Sequence, residues 1–463
     1  MLPVETIQVS IDSGVVFPTG TGNDPMVVFS RFVEVAGAAW VRLRFGEVQL
    51  SGSSAEGDES FIRITSLCDD VQLLDSAALE VWGDTSAYFN GDRVLVELVA
   101  RANTGANRVT IDRIASGPQS SFESSNAPCG TDDRVPSSDP RAARFRFQRF
   151  NNECDKEVFC TAFLFDDRPS CAITAGHCCQ VIDWTCGFPP VVEFNVPESD
   201  PDGAINYAHP NDQYPVEQIS TDQWQRAGLG NDWCYFGVLD NPNTGKTPLE
   251  AQGASYQLVQ TVPDDNYGST LRVTGYGVYP YLGPYNELSG TQQTDSGPYQ
   301  AKVGTAISYV VDTTGGNSGS AVEHVSDGLV YAIATDGGCW AGGGANKGNA
   351  IDHPGLQDAL ACETGMCALD CNSNGIIDQC DIDCSSCGED CNVPGCGTGS
   401  DCFNSNGIPD ECEGIIFRGA CCVGTDCVPG MTQCACTEQG GTYQGQGSTC
   451  QGPRACWQYS APP

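Results

Sequence analysis

Over the first 127 residues apolar and polar positions alternate in short runs, at 26–35, 40–50, 61–66, 93–100 and 107–114. Val41, Leu43 and Phe45 share one face of one run, and Val94, Val96 and Leu98 share one face of another. A period of two marks a half-buried strand, and the breaks are filled by Gly, Asn, Asp and Ser, the residues of tight turns. No helical period competes with it, so residues 1–127 are read as an antiparallel β-sandwich. This portion holds no histidine and one cysteine, Cys68, so no catalytic or metal site is expected in it. Adhesion, substrate binding and assistance in folding stay equally open as its role.

Residues 116–140 are rich in Ser, Pro, Gly and Asp and read as an exposed connection, with a boundary near Pro128. From there to about residue 360 short strands recur between frequent Gly and Pro, and only 353–360 carries a helical pattern. That alternation fits a two-barrel β fold closed by a short terminal helix, over 128–360. Beyond it the pattern fades and cysteine takes over: seventeen of the 27 cysteines lie after residue 361. Two small modules are expected there, 361–415 and 416–463, each with too small a core to stand without cross-links.

So many cysteines without a repeated Cys/His metal pattern imply disulfides, and disulfides imply an oxidising compartment outside the cytoplasm. The protein is read as secreted. Residues 1–30 lack the basic start and apolar run of an export signal, which is therefore either removed or outside this sequence. No stretch approaches the roughly 18 apolar residues of a membrane span. An odd cysteine count leaves at least one thiol unpaired or paired between chains. A formal charge of -37 excludes nucleic acid and anionic membranes as partners, because both are held by clustered Lys and Arg. Part of the acidity is concentrated, since residues 362–414 contain eleven Asp and Glu and no Lys or Arg. Bound calcium and a solvated acidic face are the two readings of that stretch.

Three short segments carry candidate chemistry, in the order Ala175-Gly176-His177-Cys178, Asn231-Asp232-Trp233 and Gly316-Asn317-Ser318-Gly319-Ser320. A serine hydroxyl is a weak nucleophile at neutral pH and needs an imidazole to take its proton and a carboxylate to hold that imidazole in one tautomer. His177 follows a β-type run and sits beside Cys178, which with Cys160 brackets a hairpin. Asp232 precedes the apolar run 235–239. Ser318 lies in a glycine-rich turn whose amides, on Gly316 and Ser318, are placed to receive a developing oxyanion. His209, His324 and His353 lack such context and are read as surface or structural.

With these segments in view, residues 129–360 resemble the chymotrypsin-fold serine endopeptidases, and within them the bacterial glutamyl endopeptidase branch. The resemblance rests on Asp132-Asp133-Arg134-Val135, on Cys160-Thr161-Ala162-Phe163-Leu164 with 173–178, on Asp232 and its strand, and on the stretch 309–320. It implies peptide-bond hydrolysis through an acyl-enzyme, with His177 as base and then acid, Asp232 as orienting carboxylate, Ser318 as nucleophile and protein or peptide as substrate. It implies no cofactor for catalysis. Asn317 stands where trypsin-like zymogens place the aspartate that captures a newly cut N-terminus, so that activation route is not expected. The substrate pocket is expected around Asp312, Thr313 and Thr335. Asp312 occupies the position of a basic-specific carboxylate, and the glutamyl branch binds acidic side chains through the residue matching Thr313 and a downstream histidine that the stretch 331–338 lacks. Basic, acidic and small uncharged side chains all stay open.

In the C-terminal part Asp370, Asn372, Asn374, Asp378 and Asp381 fall at loop positions one, three, five, nine and twelve, with Gly375 at six and the Ile376 carbonyl available. That is calcium-loop spacing. A second copy aligns Asn404, Asn406, Ile408, Asp410 and Glu413 but begins with Cys402. The pair resembles the loops of dockerin and thrombospondin type 3 modules, and structural Ca2+ is the implied metal. Cys384 and Cys387 read as disulfide partners, with zinc as the competing reading. The terminal modules are candidates for contacts with a cell-surface or extracellular partner. The rival to a protease is a catalytically silent protease-fold protein that binds or assembles outside the cell through calcium-dependent modules.

Overall fold

The computed structural model describes residues 2–361 except 20–23, 103, 119–127, 149–153, 202–203, 265–267, 280–285 and 341, together with 365–367, 382, 419–423, 426–431, 436, 439–446 and 448–450. The protein is mostly β. Two compact units divide the chain, one of Met1–Gln357 with Gly365–Cys367, the other of Asp358–Thr364 with Ala368–Pro463.

The alternating runs form two four-stranded antiparallel sheets. One has the order Glu5–Asp12, Arg108–Pro118, Ala38–Gln49, Phe89–Asn90, and the other Pro25–Glu34, Arg93–Arg101, Phe61–Ser66, Asp70–Leu74. Val41, Leu43, Phe45, Val94, Val96 and Leu98 are all buried between them. Two strands, Glu5–Asp12 and Asp70–Leu74, escape the pattern because neither carries a sustained buried face. The helix Ser76–Val81 also goes unanticipated, being too short to show a period; the Asp75 carboxylate caps it by accepting from Ala78 N at 2.8 Å.

Two barrels follow. In the first, Gln213–Pro215, Val191–Glu193, Ala142–Gln148, Lys156–Leu164, Cys171–Thr174 and Asp232–Gly237 pair in that order, and bonds between 215–217 and 237–239 close the ring. In the second, Gln292–Val303, Thr270–Tyr276, Ala321–His324, Leu329–Asp336, Asn346–Ala350 and Ala306–Tyr309 pair in order and return to Gln292–Val303. The terminal helix is Pro354–Ala361, as its pattern suggests, but short helices at Gly176–Gln180 and Pro248–Gln252 are present too.

The connection behaves differently from its composition. From Cys129 onward the chain is anchored: Cys129 is bonded to Cys339, Arg134 is buried, and Val135–Pro136 pairs with Gln292–Val303. Nor does the sandwich stand apart from the first barrel. Phe188, Val191 and Tyr207 belong to the same apolar core as Trp40, Phe45 and Trp82, and Leu2–Pro3 adds a strand to Lys156–Leu164. Tyr88 stacks on Tyr207 at 4.5 Å and donates to Glu157 at 2.6 Å, while Glu157 pairs with Arg146, both side chains being fully buried. The Glu157 carboxylate is tolerated in such a place because it is paired and hydrogen-bonded, Tyr207 also donating to it at 3.0 Å.

In the C-terminal unit Gly419–Val423 pairs between Asp426–Met431 and Thr442–Gln446, stapled by Cys421–Cys436 and Cys427–Cys450. Among the described residues Cys68 is the free cysteine, and it is exposed. No described helix is long and apolar enough to cross a membrane.

Candidate active site

His177 projects from Gly176–Gln180, a helix of five residues at the end of strand Cys171–Thr174. So short a helix has little stability of its own. Disulfides hold it on both sides: Cys178 to Cys160 in Lys156–Leu164, and Cys179 to Cys234 in Asp232–Gly237. The first pair is the one that the bracketed hairpin suggests; the second is not legible from spacing. Cys234 is two residues from Asp232, so the staple that fixes the imidazole also fixes the carboxylate.

The Asp232 carboxylate reaches the imidazole edge-on. Oδ2 lies 2.7 Å from His177 Nδ1, and Oδ1 accepts from the His177 backbone N–H at 2.6 Å. A carboxylate at Nδ1 assigns the ring proton to that nitrogen and leaves Nε2 as the free base. The imidazole is one-quarter exposed and the carboxylate nearly buried. Asn349, on Asn346–Ala350 of the second barrel, accepts from Asp232 N at 3.1 Å and ties the two barrels at this point. Nothing in its local sequence marks that role.

Ser318 enters from the second barrel. Its carbonyl accepts from Thr161 N at 2.8 Å, and the Gly316 carbonyl accepts from Thr161 Oγ1 at 2.9 Å, so Lys156–Leu164 of the first barrel carries the loop. Gly319 packs so closely on Thr161 and Thr174 that a Cβ would collide with both. Gly316 has φ +102°, a conformation that side chains rarely adopt, and a Cβ there would strike Tyr276 and Phe159. The amides of Asn317, Gly319 and Ser320 all donate within the protein. Those of Gly316 and Ser318 donate to none of the described residues, which leaves these two available to an incoming oxyanion. The Ser318 hydroxyl likewise forms no hydrogen bond to the described residues.

Beside Ser318 opens a cleft lined by Thr313, Asn317, Ala334, Thr335 and Asp336 among others. Of the three expected pocket residues Thr313 and Thr335 line this cleft, and Asp336, which no motif marks, lines it too. The Thr335 hydroxyl donates to the Asp336 carboxylate at 2.9 Å, and Asn346 donates to Thr313 Oγ1 at 2.8 Å. No Lys, Arg or His lines this cleft among the described residues.

Asp312 departs from expectation. It does not line the cleft. Its carboxylate is turned to the segment before the first barrel, accepting from Cys129 N at 2.6 Å and Asp133 N at 3.0 Å. Burial, reinforced by the nearby Asp295 carboxylate, pushes its pKa up to about 6 despite the two amides. The carboxylates of Asp133, Asp295 and Asp312 approach within 4.8 Å of one another. The departure has a plain cause: the groups that capture Asp312 lie about 180 residues upstream, beyond any local motif.

The other histidines are structural. His353 is buried, with Nε2 3.0 Å from Asn231 Oδ1, and His324 is paired with Asp327 at 2.8 Å. His209 accepts from Asn211 N at 3.1 Å. The calcium candidates Asp370, Asn372, Asn374, Ile376, Asp378, Asp381, Asn404, Asn406, Ile408, Asp410 and Glu413, with Cys384 and Cys387, lie outside the described residues.

Two antiparallel β-barrels of six strands each are the chymotrypsin-like fold, and residues 142–350 have it, with His177 and Asp232 on the first barrel and Ser318 on the second. No family model and no curated protein matches the sequence. Solved structures do. The chain is similar to a thermostable serine protease, AL20, from an extremophilic microorganism, at 16% identity and TM-score 0.36 over 48% of this chain and 95% of that one. It is similar to a Glu endopeptidase solved with MPD, at 16% and 0.36 over 50% and 96%. It is also similar to the protease Anisep of Arthrobacter nicotinovorans, at 15% and 0.35 over 47% and 92%. At such identities the chemistry of the site rests on its own geometry.

Proposed function

We propose that this chain is a secreted serine endopeptidase. The observation that carries the reading is the two-point contact of Asp232 with His177, through Nδ1 and the backbone N–H, which orients Nε2 for proton transfer. In the reaction Ser318 Oγ attacks the scissile carbonyl carbon as Nε2 takes its proton. The carbonyl oxygen becomes an oxyanion received by the Gly316 and Ser318 amides. The C–N bond breaks as His177 returns the proton to the leaving amine, leaving an ester on Ser318. Water, deprotonated by the same imidazole, cleaves that ester and restores the serine.

Substrates are proteins or peptides. The cleft beside Ser318 offers hydroxyls of Thr313 and Thr335 and the carboxylate of Asp336, and lacks a cation among the described residues, so an acidic side chain would meet repulsion there. Uncharged polar and basic side chains suit it better. The disulfides support an extracellular setting. Structural calcium on the loops 370–381 and 402–413 belongs to the proposal through ligand spacing alone; calcium-dependent protection of 361–415 from proteolysis would support it, and equal cleavage with calcium or chelator would remove it.

Hydrolysis of a denatured protein substrate tests the reading. The wild-type chain cleaves it and Ser318→Ala does not; a chain that folds and cleaves nothing is the silent binding protein instead.

A further inference from the structure

Besides Thr161, a second buried side chain, that of Arg134, holds the loop that carries Ser318. The Arg134 side chain is 1% exposed, and its guanidinium lies 4.7 Å over the Tyr279 ring and is shared between Asp132, Thr314 and, at 3.5 Å, the Val278 carbonyl. Nε and Nη2 bind the Asp132 carboxylate at 2.9 and 2.7 Å. Nη1 turns the other way and donates to Thr314 Oγ1 at 2.7 Å. Thr314 Oγ1 donates to the Val278 carbonyl at 2.6 Å, while Val278 N donates to the Gly315 carbonyl at 2.9 Å. Thr314 N donates to Asn317 Oδ1 at 3.0 Å, and Asn317 N to the Thr314 carbonyl at 3.1 Å. Arg134 Nη1, Thr314 Oγ1 and Asn317 Oδ1 crowd over Gly277 so tightly that a Cβ there would strike each of them.

We propose that Arg134 is a positioning residue for catalysis: through Thr314 it fixes the turn 314–318 and so aims the two free amides, of Gly316 and Ser318, at the oxyanion. Three features favour this over a merely structural ion pair. The Asp132 carboxylate takes Nε and Nη2, so Nη1 is left to the loop. Asn317 is neutral and satisfied within the turn, so the loop's external tie of fixed charge is Arg134. The segment bearing Arg134 is itself anchored beside the same loop, by Cys129–Cys339 and by the amides of Cys129 and Asp133 on Asp312. Arg134 is part of the continuous chain, so the amides are aimed as soon as folding is complete. No proteolytic cut is needed to supply a cation, which gives the neutral Asn317 a reason.

The inference rests on the protease reading, and the experiment separates the two. Full-length wild-type, Arg134→Lys and Arg134→Ala are compared by kcat and KM on one peptide amide, by affinity for a peptidyl boronate, and by addition of methylguanidinium. Misplacing an oxyanion donor costs on the order of 10²-fold in rate. Arg134→Ala is therefore expected to lose about that factor in kcat and a similar factor in boronate affinity, with KM changed only a few-fold. The pH midpoint of the rate, set by His177, should stay in place. Methylguanidinium should restore part of the rate in Arg134→Ala, and Arg134→Lys should fall between the two. Wild-type kcat and boronate affinity in Arg134→Ala would overturn the inference, as would a loss confined to thermal stability or to KM. A wild-type chain inert towards both substrate and boronate overturns the protease reading itself.

Discussion

The two barrels supply one site by different means. Around His177 the first barrel uses covalent ties: Cys160–Cys178 and Cys179–Cys234 flank it and Cys154–Cys186 and Cys171–Cys367 lie further out, while Arg144–Glu193 and Arg146–Glu157 are buried pairs on the barrel's other strands. Around the nucleophile, the second barrel uses backbone conformation. Gly316 and Gly319 admit close approach, short hydrogen bonds fix the turn, and Cys129–Cys339 is its disulfide among the described residues. A base needs a fixed ring and a fixed carboxylate, which side-chain ties provide. An oxyanion site needs bare amides, and a backbone packed against its neighbours provides those.

Breaking the comparison at the chemistry should have the largest effect. Ser318→Ala and His177→Ala are each expected to lower kcat by about 10⁶-fold, and the double variant by no more than either alone, since the groups act as a unit. Asp232→Asn, which presents the wrong tautomer, should cost about 10⁴-fold. Progress curves on a peptide amide check all three; additive losses would mean that the barrels act independently.

The structural ties come next. Cys129–Cys339 closes 210 residues and Cys160–Cys178 closes 18. Loop-closure entropy makes the first worth about 5 kcal/mol and the second about 3 kcal/mol. Denaturant unfolding of Cys→Ser pairs reads the difference, and an equal cost would show that strain or residual structure, not loop length, governs these bonds. Glu157→Gln leaves buried Arg146 only the Glu193 carboxylate, 4.0 Å from Nε, and should destabilise by about 3 kcal/mol. Because Glu157 also receives Tyr88 of the sandwich, the variant should expose residues 1–118 to proteolysis together with the barrel. Separate loss of the sandwich would contradict the shared core.

The smallest effects are titration and selectivity. Asp312 has a folded pKa of about 6, above the unfolded value near 3.9, so it takes up a proton on folding. Its contribution to stability is fully present below about pH 4 and is lost as pH rises through about 6. Asp295→Asn removes the neighbouring charge and should move that loss to lower pH, as followed by Tm against pH; an unchanged profile would contradict the assignment. In the cleft, Asp336→Asn should improve cleavage after acidic residues by several-fold, read from a peptide library.

Much of this was legible because it is local. The strands at 40–50 and 93–100 declare themselves by alternation, and His177, Asp232 and Ser318 each sit in a short motif beside a turn or strand. What escaped depends on distance along the chain. Asp312 looked like a pocket floor because Cys129 and Asp133, whose amides turn it away, are remote in sequence. Arg134 looked like part of a polar connection, yet its burial follows from the fold of the second barrel. Asp336 follows a buried strand and shows no motif. The docking of the sandwich on Glu157 and Tyr207 joins side chains about 70 and 120 residues away from Tyr88 and Asn90.

The central claim is that His177 and Asp232 of one barrel activate Ser318 of the other. Reaction of the full chain with a serine-directed phosphonate, followed by mass spectrometry of the labelled peptide, tests it most directly. The account predicts one phosphonyl group per chain, on Ser318, absent from Ser318→Ala and lost from His177→Ala. A folded chain that stays unlabelled, or one labelled equally well without His177, would contradict it.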